Sequence, residues 1–268
     1  MAITPPFGYA LVDAPQRTPI EGGIFDALEN QQTKPLEGHL ARGITYELDV
    51  TGDVRVLNEE TATAVATESK AGDFGDISYI EGDPFTVLVS RTTDALTRTP
   101  DEVMQQAEAH LVAASQRGVE RVLWTTQMRA ATDLNPAGAV SAKDAVGILE
   151  EFAGSNYFYT PTLHFGRRLA PYLADHFLVK FDEGKAAAIG GARAVNGAGY
   201  TSLDGPGAVD AAADERWLWI TGQVAIWEGA PQSHTAFDQN SNAIFGVSER
   251  TYIATLDGLS AAVRVKLS

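Results

Sequence analysis

A single long helix is the feature that most constrains this chain. The stretch Thr99-Pro100-Asp101-Glu102 forms a capping box with proline at the first helical position, so a helix is predicted to begin at residue 100. Apolar or small residues then recur at spacings of three and four, namely Val103, Ala107, Leu111, Ala114, Gly118 and Val122. The helix is predicted to reach residue 124, a length of roughly 37 Å. Its narrow apolar stripe is typical of a helix that spans a structure.

The residues before this helix predict an arm and a hairpin. Proline is frequent in residues 1–43 and no long apolar period appears, so an extended arm is predicted, with one short helical turn at 24–28. This arm is expected either to wrap its own domain or to lie on neighbouring subunits. A β-hairpin is predicted next, with strands at 44–50 and 54–57 around the turn Thr51-Gly52-Asp53.

An acidic stretch follows the hairpin. Residues 58–83 hold seven acidic side chains and one basic one, Lys70. The stretch is rich in Thr, Ala and Gly and offers little for a core, so an exposed excursion that extends the hairpin is predicted.

Two shorter helices and a β-rich half are predicted after the long helix. Ser141 caps a helix over 141–152 with Gly154 after its end, and a third helix is predicted from Thr160-Pro161 with a kink at Pro171. Strands are predicted at 177–181, 216–221, 223–227, 250–256 and 263–267. The Gly- and Ala-rich segment 184–215 is predicted to be loops with at most one short strand, and 230–242 a polar loop. This order lacks a regular strand–helix alternation, so the fold class is α+β.

Composition excludes several classes of protein. The chain has 268 residues and no cysteine, which rules out disulfides and thiolate metal sites. Its formal net charge of −15 argues against a protein that coats nucleic acid through a basic surface. Neither a signal peptide nor an apolar stretch of membrane-spanning length is found.

No constellation of residues indicates catalysis, a cofactor or a metal. The five histidines stand at positions 39, 110, 164, 176 and 234, without the spacing of a metal motif, and are expected to be surface or packed residues. Trp217 and Trp219 share one face of a strand. A sugar or base platform is conceivable there, but core or interface packing is favoured.

Four stretches resemble the major capsid proteins of tailed double-stranded DNA phages. They are Gly82-Asp-Pro-Phe-Thr-Val87, Arg117-Gly-Val-Glu-Arg-Val-Leu-Trp-Thr125, Tyr159-Thr-Pro-Thr-Leu-His-Phe-Gly166 and Glu249-Arg-Thr-Tyr-Ile-Ala-Thr-Leu-Asp257. The second is similar to a helix of capsid proteins from phages of actinobacteria, although residue 126 is Thr where relatives have Gly. In relatives the third stretch is a short strand that leads to a helix begun by proline.

This resemblance implies the Hong Kong 97 type capsid fold. Its parts would be an N-terminal arm (1–43), an extended loop (44–85), a peripheral domain with the spine helix (86–169), an axial domain (170–215) and a return to the peripheral domain (216–268). The extended loop would lie on a neighbouring subunit, and the loop 228–248 near the contacts between capsomers.

The resemblance also implies a function and partners. The chain would assemble with itself as pentamers and hexamers into an icosahedral shell around phage DNA, without sequence-specific DNA binding, catalytic residues, cofactor, metal or membrane. Portal, scaffold or decoration proteins would be its other partners. Assembly would take place in the cytoplasm of the host bacterium, and the protein would reside in the virion capsid.

Some members of this family cross-link their subunits covalently. By resemblance, Lys70 on the extended loop would attack Asn240 or Asn242 on the capsomer-contact loop, with Glu249 as the assisting carboxylate. A lone surface lysine and an Asn-rich turn is the favoured interpretation of these residues. Two other functions stay open: an encapsulin-like compartment shell, and a β-rich hydrolase or carbohydrate-binding protein that uses the tryptophan strands.

Overall fold

A computed structural model describes residues 21–28, 33–35, 43–48, 78–182, 185–201 and 203–267. The helices are α1 (Ile24–Ala27), α2 (Pro100–Thr126), α3 (Ala142–Asn156) and α4 (Ala170–Asp175), with 3-10 turns at Met128–Ala130 and Pro206–Ala208. The first seven strands are β1 (Thr33–Pro35), β2 (Ile44–Leu48), β3 (Ser78–Gly82), β4 (Pro84–Asp94), β5 (Thr132–Asp133), β6 (Thr162–Gly166) and β7 (Val179–Asp182). The others are β8 (Lys185–Ala188), β9 (Arg193–Gly197), β10 (Glu215–Thr221), β11 (Val224–Glu228), β12 (Gln232–Asp238), β13 (Ala243–Leu256) and β14 (Ser260–Lys266). This mixture of helices and sheets confirms the α+β class.

The long helix is confirmed, and its start is the predicted capping box. Glu102 N–H donates to Thr99 Oγ1 over 3.3 Å, while Thr99 N–H donates to Glu102 Oε2 over 2.7 Å. Both bonds satisfy donors that the first turn of a helix leaves free. Helix α2 continues for 27 residues, slightly past the predicted end at residue 124.

A seven-stranded sheet separates two hydrophobic cores. Its strand order is β5-β14-β10-β6-β9-β8-β7, so β10 lies inside the sheet. Along β10, Leu218 and Ile220 enter the core against α3 and α4, while Trp217 and Trp219 enter the core against α1 and α2. All four side chains are fully buried, because alternate residues of one strand point to opposite faces.

Helix α2 packs on a second, five-stranded sheet. Strand β13 is its centre and pairs with β4, β11 and β12, while β1 adds to β11 in parallel. A Cβ at Gly118 of α2 would lie 2.7 Å from Val87 Cγ2 of β4, and one at Gly246 of β13 would lie 2.8 Å from Val103 Cγ1 of α2. Glycine therefore allows helix and sheet to approach closely at both ends of the contact.

The described part of the predicted arm packs on its own chain. The predicted helical turn at 24–28 is confirmed as α1, and Ile24 and Leu28 are buried in the core beside α2. The ring of Phe25 stacks on Tyr252 of β13 with a centroid distance of 6.2 Å. Residues 1–20, 29–32 and 36–42 of the arm lie outside the described residues.

The predicted hairpin is only partly within the described residues. Strand β2 pairs antiparallel with β3, from Ile44↔Gly82 to Leu48↔Ser78. The predicted partner strand at 54–57 and its turn, together with most of the acidic stretch, lie outside the described residues. At the base of the ribbon, a Cβ at Gly82 would lie 2.6 Å from Ile253 Cγ2, so the ribbon crosses one face of β13.

The prediction of a third helix from Thr160-Pro161 is wrong. Residues 162–166 form β6, which lies between β10 and β9 with all five residues buried. Pairing on both sides outweighs the local helix-start signal, which is a weak prior. The resemblance had implied a short strand that leads to a helix begun by proline, and the strand is followed by α4, which has Pro171 in its first turn.

Four further segments differ from their predicted structure. Residues 230–242 contain the strand β12. Its residues are mostly exposed and polar, so the alternation of apolar and polar residues that predicts a strand is absent. Segment 184–215 holds two strands, β8 and β9, whose alanines Ala186, Ala188 and Ala194 belong to or pack against the core that also contains α3 and α4. Helix α3 continues through Gly154, and the long strand β4 was not predicted.

Two glycines on different helices provide a matched test of this packing. Replacement of Gly118 by Ala should lower the free energy of unfolding by about 1 kcal/mol, since overpacking against Val87 exceeds the gain in helix propensity. The same replacement at Gly147 of α3, which has open space around its Cα, should raise stability by about 1 kcal/mol. Urea unfolding of the unassembled subunit measures both changes. Stabilisation by both substitutions would contradict the described contact, and Val87→Ala should remove the penalty at residue 118.

Candidate functional site

One buried carboxylate joins three distant segments of the chain. Glu120 of α2 is fully buried, its Oε1 accepts Ile24 N–H over 3.0 Å, and its Oε2 accepts Gly199 N–H over 2.7 Å. A further backbone bond runs from Asn196 N–H to the carbonyl of Gly22 over 2.9 Å. The arm, the long helix and the segment after β9 therefore meet at Glu120.

Close approach of the three segments depends on residues without a side chain. A Cβ at Gly23 would lie 1.5 Å from Gln116 Nε2, and one at Gly199 would lie 2.4 Å from the carbonyl oxygen of Arg117. Any larger residue would push the backbone N–H groups away from Glu120. We call Glu120 with Gly23, Ile24 and Gly199 the arm anchor.

Burial governs the protonation of the groups around the arm anchor. Desolvation raises the pKa of Glu120, and the backbone N–H groups of Gly199 and Ile24 partly offset that rise. Burial and then the charge of Glu120 raise the pKa of Tyr200 well above its ordinary value. Desolvation alone lowers the pKa of His164 to about 3, so its imidazole is neutral at physiological pH.

The imidazole of His164 has partners on both ring nitrogens. Nδ1 lies 2.9 Å from the Tyr200 hydroxyl and Nε2 lies 2.8 Å from Thr221 Oγ1. All three residues are buried, so the cluster offers no surface to a substrate. The arrangement is structural, and among the described residues no group of three or more His, Asp or Glu side chains is placed to hold a metal.

The C-terminal end of α2 holds the loop around residue 204. Trp124 Nε1–H donates to the Asp204 carbonyl over 3.1 Å, and Arg129 forms an ion pair with the Asp204 carboxylate at 3.1 Å. The guanidinium of Arg129 also lies 5.3 Å from the centre of a Trp124 ring.

Since Trp217 and Trp219 are fully buried in the core, a sugar or base platform on these side chains is ruled out.

A tight polar turn connects β12 to β13. Asp238 accepts bonds from the Ser241 hydroxyl at 2.6 Å and from Asn240 N–H at 3.0 Å, and these bonds lower the pKa of its carboxyl. Asn242 has a φ of 47°, in the left-handed region that asparagine tolerates, and its Nδ2 lies 3.4 Å from Asp94 Oδ1.

The structure brings together two of the four residues of the hypothetical cross-link. Asn240 and Asn242 share the exposed turn. Glu249 lies opposite Leu88 in the middle of β13, about 23 Å from Asn242 at the rise of a β-strand. Lys70 lies outside the described residues. Among the described residues, the carboxylates bonded to this turn are those of Asp238 and Asp94.

Apolar side chains are exposed on both sheets. Phe177 and Ile189 are 84% and 73% exposed, and both lie at the β7 end of the seven-stranded sheet, where Ile189 N–H donates to the Leu178 carbonyl. On the five-stranded sheet, Leu88 and Phe245 are exposed on the face turned away from α2. Apolar side chains exposed to this degree would lose contact with water if a neighbouring molecule covered them.

The arm anchor was missed in the sequence because its residue types are ordinary. Glu120 reads as one more charged residue of a surface helix, although it follows Val119 of the buried stripe. The available signal was the stretch Val119-Glu120-Arg121, which lies in the second of the four stretches that resemble capsid proteins.

Replacement of Glu120 by Gln should destabilise the subunit. The amide nitrogen cannot accept a bond, so the N–H of Ile24 or Gly199 loses its acceptor at a cost of about 1–3 kcal/mol. Urea unfolding at pH 7 measures the change, and Glu108→Gln on the exposed side of the same helix is the control. Equal stability of the two variants would contradict the arm anchor.

The protonation of Glu120 adds a pH dependence with a definite sign. The pKa of Glu120 in the folded state lies above the unfolded value of 4.5. At pH values between these two pKa values, the native state therefore binds more protons than the unfolded state. This difference in proton binding therefore contributes fully to the free energy of unfolding below pH 4.5, and its contribution decreases as the pH rises through the folded pKa of Glu120. Accordingly, the stability gap between wild type and Glu120→Gln should narrow as the pH rises above 4.5.

His164 should make the free energy of unfolding rise with pH in the acidic range, the opposite of the effect of Glu120. Its folded pKa of about 3 lies below the ordinary 6.5, so its contribution is present above pH 6.5 and is lost as the pH falls. At pH 5 the loss should reach about 2 kcal/mol. Unfolding curves from pH 7 to pH 4 should be flatter for His164→Gln, while the exposed control His234→Gln should keep the wild-type slope. An unchanged slope in His164→Gln would contradict this assignment.

Solved structures with the same fold come from phages and related particles. No family model matches the sequence, and no curated protein matches it. A structure from Microbacterium phage Oxtober96 is 10% identical, with a TM-score of 0.58 over 96% of this chain and 95% of that one. The capsid of Ralstonia phage GP4 is 8% identical, with a TM-score of 0.56 over 100% and 99% of the two chains. The capsid of the empty GTA particle is 13% identical, with a TM-score of 0.56 over 95% of each chain.

These likenesses extend over nearly the whole of both chains. Sequence identity is low, so the likeness establishes the fold. In the described part of the chain, no helix is long and apolar enough to cross a membrane. The chain therefore has the α+β fold of phage capsid structures, of the Hong Kong 97 type.

Proposed function

We propose that this chain is the structural subunit of an icosahedral shell, the major capsid protein of a tailed double-stranded DNA phage. The observation that supports this most strongly is the likeness to the capsid of Ralstonia phage GP4 over 100% of this chain and 99% of that one. A match of this extent leaves almost no part of either chain without a counterpart in the other. The subunit would assemble as pentamers and hexamers.

The exposed apolar side chains fit a subunit with neighbours on several sides. Phe177 and Ile189 lie at one end of the seven-stranded sheet, while Leu88 and Phe245 lie on the outer face of the other sheet. Contacts that repeat by rotation close into rings, and rings then assemble into cages. Under this proposal the axial domain, 170–215, presents Phe177 and Ile189 to neighbours within a ring.

The negative charge of the chain is consistent with a shell that encloses DNA without binding it tightly. A subunit with a formal net charge of −15 has no excess of cations to exchange for the counterions of DNA. We propose that it encloses the genome without sequence-specific contacts and acts without catalysis. Portal, scaffold or decoration proteins would join the shell, which would assemble in the host cytoplasm and remain in the virion.

The other functions considered for the sequence have less support. A hydrolase or carbohydrate-binding protein would need an open site, whereas Trp217 and Trp219 are fully buried. An encapsulin-like shell would share the assembly geometry and would differ in its contents.

Electron microscopy of the purified protein tests this proposal. Icosahedral particles are expected, and those recovered from infected cells should contain double-stranded DNA. Particles that enclose a protein cargo and no DNA would favour the encapsulin-like alternative. A protein that stays monomeric at every concentration and ionic strength would overturn the shell function.

The covalent cross-link is a separate proposal within this function. The Lys70 amine would attack the side-chain carbonyl of Asn240 or Asn242 of a neighbour, forming an isopeptide bond and releasing ammonia, with the Glu249 of another subunit as the proton acceptor. Denaturing gels of mature particles should then show a ladder that is lost in Lys70→Arg and in the double variant Asn240→Ala/Asn242→Ala. A single band near 28.6 kDa from wild-type particles would contradict the cross-link and leave the shell proposal intact.

A further inference from the structure

The outward side of α2 is a continuous exposed surface. Residues four apart along its whole length are exposed, namely Asp101, Gln105, Ala109, Ala113, Arg117, Arg121 and Thr125. We call this row the outer stripe. It lies opposite the buried row that packs on the two sheets, and Glu108 and Val112 flank it, the latter 66% exposed. The helix is about 40 Å long, so the stripe is one of the longest straight features of the fold.

The two halves of this surface carry opposite charge. Asp101 and Glu108 lie in the N-terminal half, and Arg117 and Arg121 lie in the C-terminal half. Among the described residues, no ion pair joins any of these four side chains to a partner. Within the part of the chain that the structure describes, the surface thus offers charges of both signs without an ion-pair partner, in two separate blocks.

Helix energetics do not account for the arginine block. Favourable interaction with the helix dipole is limited to the last turn, and the last turn of α2 contains no basic residue. Arg117 and Arg121 are also four residues apart on one face, where like charges destabilise a helix by about 0.2–0.5 kcal/mol. A role outside the helix explains the placement of both arginines.

We propose that the outer stripe of α2 packs against the same stripe of a second copy of this chain, antiparallel across a two-fold axis. An antiparallel arrangement places the arginine block of each copy opposite the acidic block of the other, whereas a parallel arrangement would face like charges. The contact rests on the proposed shell function, in which it would join subunits of adjacent rings.

The centre of the stripe is shaped for a helix crossing. Ala109 and Ala113 are the smallest side chains of the row, and they lie between the two charge blocks. Rows of residues four apart on two helices interdigitate at a crossing angle of about −50°, with axes about 8–10 Å apart. In this geometry Arg117 approaches Glu108 of the second copy on each side of the axis, while Val112 is covered.

A charge-swap experiment tests the pairing. The variant Arg117→Glu/Arg121→Glu makes both blocks acidic, and the variant Gln105→Arg/Glu108→Arg makes both blocks basic. Each should form at least tenfold fewer shells than wild type, as measured by sedimentation and electron microscopy. An equimolar mixture of the two should recover shells, because each acidic block then faces a basic one.

Cysteine cross-linking locates the crossing, since the natural chain has no cysteine. After mild oxidation of assembled particles, Ala109→Cys/Ala113→Cys should run mainly as a dimer on a non-reducing denaturing gel. Thr125→Cys, on the same stripe but more than three turns from the crossing, should remain a monomer.

The outcomes separate this inference from the shell function. Charge variants that assemble like wild type, or a cysteine variant that stays monomeric inside intact shells, would overturn the α2 contact alone. Shells of the arginine variant that form normally and lose only nucleic acid would also overturn it, and would assign the arginines to DNA. Absence of wild-type shells would instead refute the proposed function.

Discussion

The buried carboxylate of Glu120 is the interaction on which the arrangement of this molecule depends. Its two oxygens accept backbone N–H groups from Ile24 and Gly199, segments separated from it by 96 and 79 positions in the chain. Each of those N–H groups would be left without a partner if the carboxylate moved, and an unpaired buried donor is costly. The arm is therefore fixed to the long helix through its backbone, while Ile24 and Leu28 add apolar contacts beside it.

The seven-stranded sheet extends this coupling across the fold. Trp217 and Trp219 of β10 pack beside α1 and α2, and Leu218 and Ile220 of the same strand pack beside α3 and α4. A displacement of β10 would disturb both cores at once. Strands from the predicted peripheral, axial and C-terminal segments all belong to this sheet, so the parts predicted from the resemblance share one hydrogen-bonded framework.

The sequence predicted correctly those helix starts that depend only on neighbouring residues. The capping box at Thr99, the N-cap at Ser141 and the short turn at 24–28 depend on neighbouring residues, and all three are confirmed. Strand β6 was mistaken for a helix because its structure depends on pairing with β10 and β9, which are remote in sequence. Glu120 was missed for the same reason: the donors that define its role are distant. The resemblance to capsid proteins supplied the overall fold, which composition and periodicity limited to the α+β class.

Strand β13 has a mechanical consequence for the molecule. It runs without interruption for 14 residues from the exposed turn at Asn242 to Leu256 in the core beside α1 and α2. A pull on that turn along the strand axis loads the ladder between β13 and β4 in shear, so the hydrogen bonds of that ladder resist together. Force applied at the outer turn is therefore transmitted along β13 to Tyr252 and to the Phe25 ring that stacks on it. Strain at the rim of the subunit is in this way delivered to the arm.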